Sequence, residues 1–195
     1  MRLFLAVDAQ NILVSNDSLK KLKVGLKNKN IEHQFVHSNQ WHIPLVQLGD
    51  ISREDYSERE SYIHNVIQGH SVFDLKLSGI WAYPNQNEGR LLWIGVQNSK
   101  ELRALYEELS HQIPSMCELD FKPNLPLVRL RNHKNVVDLI SPYKGKDFGK
   151  LKVDSVTLYE MTSGGAFPVL KALQTYYLMN DNTKTQETPL LSLGD

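Results

Sequence analysis

Short apolar runs alternate along the chain with polar, turn-rich breaks, and the spacing inside each run predicts an element. Residues 2–7 are a brief apolar run of the length of a buried strand. Asn16 and Asp17 offer a helix N-cap. Leu19, Leu22 and Leu26 then recur at helical spacing, with Lys20, Lys21, Lys23, Lys27 and Lys29 largely opposite them. Residues 33–37 and 41–48 read as strands flanking a polar turn at Ser38-Asn39, and Gly49-Asp50 ends the second. Ser52 with Asp55 three residues on resembles a capping box, followed by the helical stripe Tyr56, Ile63, Val66 and Ile67.

Residues 72–83 alternate as one long strand. Pro84 to Gly89 form a turn-rich loop, and 91–96 complete a hairpin. Asn98 with Glu101 caps a helix carrying Leu102, Leu105 and Leu109. A loop after Pro114 leads to a strand at 125–131 and a short helix at 134–140 that stops before Pro142. Strands at 152–161 and 166–178 flank Gly164-Gly165. From Met179 the chain turns polar. Neighbouring strands are often joined by turns too short for parallel crossovers, so the expected class is α+β with mostly antiparallel sheets. One domain over 1–179 and a flexible polar tail over 180–195 are expected.

Composition narrows the function classes. The 195 residues hold 22 basic and 22 acidic side chains and 41% apolar residues, ordinary values for a globular protein. Zero net charge excludes binding of nucleic acid by bulk attraction and requires a local patch instead. The single cysteine, Cys117, excludes an internal disulfide and a four-cysteine zinc site. The apolar N-terminal run is too short for a signal-peptide core, and no run approaches the roughly 20 residues of a membrane helix. A cytoplasmic protein with no membrane partner, acting as a monomer, is expected.

Two segments share an unusual plan: His42-Ile43-Pro44-Leu45 and Asn124-Leu125-Pro126-Leu127. Proline removes a ladder donor and is normally confined to strand edges and bulges. Two such prolines in one pattern, 82 residues apart, suggest a duplicated lobe. Residues i and i+2 of a strand face the same way, so His42 shares a face with Pro44, and Asn124 with Pro126. Opposed lobes would let the two faces line one cleft.

On these residues the chain resembles the two-histidine (2H) phosphoesterase superfamily, in particular the RNA 2′,3′-cyclic phosphodiesterases, also called 2′-5′ RNA ligases. Residues 1–7 resemble the first strand of that family, and 39–50 its first His-x-Thr motif. Residues 89–96 resemble its hairpin strand, 121–129 its second motif, and 156–161 its closing strand. The resemblance spans roughly residues 1–178. It implies a bilobal, pseudo-symmetric fold with two mostly antiparallel sheets around a central cleft and helices outside. It also implies a partner that is an RNA end or small nucleotide with a terminal or cyclic phosphate, and no cofactor.

The departures are as informative. In the family, two His-x-Thr motifs face each other; one imidazole takes a proton, the other gives one, and the threonines hold the phosphate. Here His42 is kept as the catalytic candidate. Pro44 and Pro126 stand at the threonine positions, Asn124 at the second histidine, and Val46 where a lysine often follows the first motif. An amide donates hydrogen bonds but does not titrate. Losing one acid–base partner costs roughly 10²- to 10⁴-fold in rate. Losing a donor to developing charge costs about 10² or more. Arg129, just after the second motif, can hold a phosphate bidentately without proton transfer. The expected substrate-binding set is therefore Pro44, Asn124, Pro126 and Arg129 around His42, with catalysis weak or lost. Two other readings are an active hydrolase that uses His42 with a different partner, and a non-catalytic protein-interaction module.

Blander readings attach to the same residues: a half-buried strand histidine, independent edge prolines, a turn asparagine after Pro123 and solvated arginines. His33 and His37 have the two-histidine spacing of a helical zinc motif, but the segment reads as strand. That would separate the rings by about 13 Å, so no metal is expected. Cys117 lacks an indicated histidine partner for a nucleophilic role. Charge is segregated: 122–152 carry eight basic residues against Asp138 and Asp147, and 46–74 carry six acids against two arginines. The basic stretch is expected either to be solvated surface or to steer an RNA end into the cleft. Trp41, Tyr83 and Tyr143 are candidates to stack a base or to fill the core.

Overall fold

A computed structural model of the protein describes residues 1–10, 12, 16–97, 99–111, 121–162 and 168–180. In chain order the elements are β1 (Arg2–Asp8), α1 (Asn16–Asn28), β2 (His33–Phe35), β3 (His42–Asp50), α2 (Arg53–Gly69), β4 (Phe73–Tyr83) and β5 (Gly89–Val96). They continue with α3 (Lys100–His111), β6 (Asn124–Lys134), α4 (Val137–Ile140), β7 (Asp147–Val153), β8 (Ser155–Thr162) and β9 (Val169–Tyr177). The strands form two sheets, β3-β1-β8-β9 and β2-β6-β5-β4-β7. Each pair of these strands is antiparallel. No helix among the described residues is long and apolar enough to cross a membrane. The α+β class and the two-sheet plan agree with the reading of the sequence.

The three longer helices form where the pattern placed them. Ser52 accepts from Asp55 N at 3.0 Å, and the Asp55 side chain reaches back to Ser52 N, so the capping box is complete. Below it α2 buries Tyr56, Ile63 and Ile67. Deep in the fold Tyr56 and Tyr176 share a hydroxyl–hydroxyl hydrogen bond. At α3 the Ser99 hydroxyl accepts from Leu102 N at 3.1 Å; Asn98 lies outside the described residues. One continuous apolar core joins both sheets to the helices.

Several boundaries differ from the pattern. Residues 33–37 and 41–48 are not partners across a turn, because β2 pairs with β6 and β3 with β1, in different sheets. The predicted helix at 134–140 starts only at Val137, since β6 runs on to Lys134. Pro142 then sits in a 3-10 turn that prolongs the helix, where its missing N–H costs nothing. The predicted strand 152–161 is two strands. Asp154 separates β7 from β8, and they belong to different sheets, so alternation alone ran through the break. Met179 is tied down rather than loose: its N–H donates to His70 O at 2.8 Å, and its carbonyl accepts from Val72 N at 3.1 Å. Gly164-Gly165, Cys117 and residues 181–195 of the expected tail lie outside the described residues.

The duplication is present in the backbone. β1 pairs Leu5 with Val46 and Ala6 with Pro44, which skips Leu45. β5 pairs Leu92 with Val128 and Trp93 with Pro126, which skips Leu127. Each motif therefore carries a one-residue bulge immediately after its proline. The bulge lets two consecutive apolar residues, Leu45-Val46 and Leu127-Val128, turn into the core, and all four are buried. Both prolines obey the edge rule. β3 is the outer strand of its sheet. Among the described residues, β6 has β5 alone alongside it at residues 124–126, beyond the last β2 contact of Val36 N with Leu127 O.

Candidate functional site

His42 begins β3 directly opposite Asp8 on β1. Its ring lies against Phe4 (centroids 5.4 Å apart) and Tyr159 (6.1 Å), part of a small apolar cluster on the face of the four-stranded sheet turned from the main core. Its Nδ1 sits 2.7 Å from the Gln40 carbonyl. A carbonyl only accepts, so Nδ1 carries the proton and the neutral ring keeps its lone pair on Nε2. Burial pushes the His42 pKa below its ordinary value. The hydrogen bond to Gln40 and the Asp8 charge pull it back, but by less. The ring is thus neutral at pH 7, with Nε2 unprotonated. Asp8 is itself fixed by Gln10, through the backbone N–H at 2.8 Å and Nε2 at 3.0 Å. Burial first, and Asp8 second, push the Tyr159 phenol up, so it stays protonated.

Asn124 begins β6 and repeats this local geometry. Its Nδ2 donates to the carbonyl two residues back, Lys122 O, at 2.9 Å, as His42 Nδ1 does to Gln40 O. The turn-like tether expected of an asparagine after Pro123 is therefore also the tether of the histidine motif. Asn124 keeps the anchoring half of an imidazole and lacks the half that carries Nε2.

His42, Pro126 and Arg129 line one cavity of about 140 Å³ between the sheets, closed by Gln40, Leu91 and Leu170 among others. Asn124 lines an adjoining groove of about 1150 Å³ on the five-stranded sheet, and Leu91 borders both spaces. Pro44 is half-buried on the face of His42 but lines neither space. Arg129 also borders a third hollow with Arg90 and Arg131, and Arg131 pairs with Glu32 at 2.7 Å. Of the predicted site residues, three thus meet in one cavity and a fourth opens onto its neighbour.

Trp41 is core, with its indole N–H donating to Val36 O at 3.3 Å, and Tyr143 is core, with its hydroxyl donating to Ser18 O at 3.2 Å. Tyr83 is 58% exposed on the groove. The basic stretch divides. Lys122 and Arg129 border the cavities beside the motif, whereas Lys150 and Lys152 lie on the far edge strand β7, across a separate hollow from Asp8. Among the described residues, no three His, Cys, Asp or Glu side chains converge as metal ligands would; His33 Nδ1 lies 2.7 Å from Ile31 O. The sequence reading missed Asp8, Tyr159, Trp81 and Trp93. The alternation of Leu91, Trp93 and Gly95 was a usable signal for the groove face. Asp8 and Tyr159 had none, because only sheet register brings them to His42.

No family model matches the chain. Individual relatives do. A protein of Methanocaldococcus jannaschii named RNA 2′,3′-cyclic phosphodiesterase is 30% identical over 181 residues, covering 88% of this chain and 99% of that protein. One of the same name from Methanothermobacter thermautotrophicus is 25% identical over 184 residues, covering 91% and 99%. Among solved structures, TT0787 of Thermus thermophilus superposes with a TM-score of 0.71 at 20% identity, covering 93% of this chain and all of that one. E. coli LigT complexed with 3′-AMP superposes with a TM-score of 0.66 at 20% identity, covering 91% and 97%.

Proposed function

The chain belongs to the RNA 2′,3′-cyclic phosphodiesterase family of two-histidine phosphoesterases, and on that footing we propose that its cleft holds a phosphate-bearing nucleotide or RNA end with its cyclic phosphodiesterase chemistry weak or lost. The observation that carries this reading is the matched tethering of His42 and Asn124: equivalent positions, equivalent bonds, and one reacting nitrogen instead of two.

Hydrolysis of a cyclic phosphate needs two proton movements. Water loses a proton as it attacks phosphorus, and the ribose oxygen gains one as its P–O bond breaks. Neutral His42, with Nε2 unprotonated, suits the first. Asn124 has no proton to release, so the leaving oxygen departs without a general acid at that position. Pro44 and Pro126 bring no hydroxyl to the phosphate. Arg129 supplies positive charge on the cavity wall, which favours binding the phosphate over transforming it.

The test pairs binding with turnover. Purified protein is expected to bind 3′-AMP in calorimetry, and to hydrolyse adenosine 2′,3′-cyclic phosphate at least ~10²-fold more slowly than a relative with two histidines. Turnover within tenfold of that relative, abolished by His42→Ala, would overturn the reading in favour of a working hydrolase.

A further inference from the structure

The open face of the five-stranded sheet beside the cleft carries an aromatic floor. Trp81 on β4 stands directly opposite Trp93 on β5, and the Tyr83 ring lies 6.2 Å from the Trp93 ring. The seat of Trp81 is specific. A Cβ on Gly95 would come within 2.7 Å of its Nε1, and one on Gly79 within 3.0 Å. Two glycines on neighbouring strands thus leave a bare patch of backbone against which the indole lies. The ring is nevertheless 51% exposed. Burying one side of an indole and presenting the rest to solvent is how a stacking platform is made.

The groove holding this floor is too large for a single phosphate. Its volume of about 1150 Å³ lies just above the usual range for small-molecule sites, and the groove adjoins the His42 cavity along Leu91 and β6. Arg103 and Lys122 line it, and among the described residues no acidic side chain does. Aromatic floor and cationic wall together match a nucleic acid strand, whose bases stack and whose phosphates need counter-charge. A protein partner of ordinary composition has no comparable need of an aromatic floor beside Arg103 and Lys122.

We propose that the groove seats the nucleotides that precede an RNA end, with a base stacked on Trp81, so that this protein reads single-stranded oligonucleotides in preference to mononucleotides. The proposal rests on the reading of the cleft as a phosphate-end site. Stacking on one aromatic is sequence-tolerant, so the preference is for length rather than for a given base.

The experiment compares two probes, 3′-AMP and a penta-adenylate ending in a 3′-phosphate, by calorimetry and tryptophan fluorescence. The oligonucleotide is expected to bind about tenfold or more tightly than 3′-AMP, and to quench tryptophan emission. Trp81→Ala is expected to lower that preference about tenfold, as loss of one stacked base does. Trp81→Phe, which keeps a ring, is expected to retain most of the preference while losing most of the quench. Circular dichroism confirms that each variant is folded. Equal affinity for both probes, or a preference untouched by Trp81→Ala, would overturn the stacking inference and leave the cleft reading standing. Failure of both probes to bind would overturn both. An oligonucleotide response that needs Trp81 while 3′-AMP does not bind would support the platform and overturn the cleft as an end-reading site. A change in sedimentation with Trp81→Ala, without a change in oligonucleotide binding, would mark the face as a protein contact and end the proposal.

Discussion

Asn124→His is the most direct test of the proposed chemistry. Asn124 Nδ2 donates to Lys122 O at 2.9 Å, and His42 Nδ1 sits 2.7 Å from Gln40 O. An imidazole at position 124 can therefore keep the existing tether through Nδ1 and project Nε2 further along the groove face of β6. A general acid is worth roughly 10²- to 10⁴-fold, or about 2.7–5.4 kcal/mol of barrier at about 1.36 kcal/mol per decade. Pro44 and Pro126 stay in place, so the gain is expected near the lower end, about 10²-fold in kcat for adenosine 2′,3′-cyclic phosphate. Release of nucleoside monophosphate would be followed by chromatography across the range from about pH 5 to about pH 9, which brackets the ordinary histidine pKa. The pH profile carries more than the rate. With His42 as base, wild-type activity rises through a single limb below pH 6.5. The variant adds a descending limb as the introduced imidazole loses its proton, giving a bell. A folded variant with no rate gain and an unchanged single limb would refute the claim that Asn124 occupies the place of a general acid.

Other expectations follow from single sites. The His42 pKa is depressed in the folded protein, so the unfolded chain binds the extra proton first as pH falls. Its neutrality contributes stability that is complete above pH ~6.5 and is lost as pH falls toward the folded value. Stability should therefore fall less steeply in His42→Gln than in wild type between about pH 6.5 and about pH 5, as read by denaturant melts. Gly95→Ala places a Cβ 2.7 Å from Ser78 O, a backbone atom that cannot swing aside. It should cost about 1–3 kcal/mol in the same melts while displacing Trp81. Ser52→Ala removes the capping box of α2 and should cost about 1 kcal/mol, a loss of roughly 2–4 °C in Tm.

Much of the architecture was legible because it rests on short-range pattern. The capping box at Ser52, the hairpin of β4 and β5, and the leucine stripes of α1 and α3 are each encoded by neighbours in sequence. The paired prolines carried more, since an uncommon strand residue placed twice in one pattern points to a shared cause. What stayed hidden depends on register or partner choice. Periodicity cannot assign β2 and β3 to different sheets, nor detect that Asp154 hands the chain from one sheet to the other. The site divides likewise. His42, Pro126 and Arg129 followed from the repeated proline pattern and the family resemblance, and they meet in one cavity. Asp8 and Tyr159 reach His42 only through cross-strand alignment, which the sequence does not display. Gly79 and Gly95 look like ordinary strand irregularities until the indole above them is seen.

The two edge prolines have a consequence for how the lobes stay apart. β3 borders one sheet, β6 has β5 as its sole described neighbour at residues 124–126, and His42 at the start of β3 shares a cavity with Pro126 and Arg129 of β6. Two unpaired strand margins at close range tend to zip together, and backbone bonding across this gap would fuse the sheets and erase the cleft. Proline has no N–H to offer, so Pro44 and Pro126 each break the row of donors that such zipping requires. A threonine at either place would return a side-chain hydroxyl and a backbone N–H together. The two prolines, which bring no hydroxyl side chain, thus also thin the backbone donors along two strand margins.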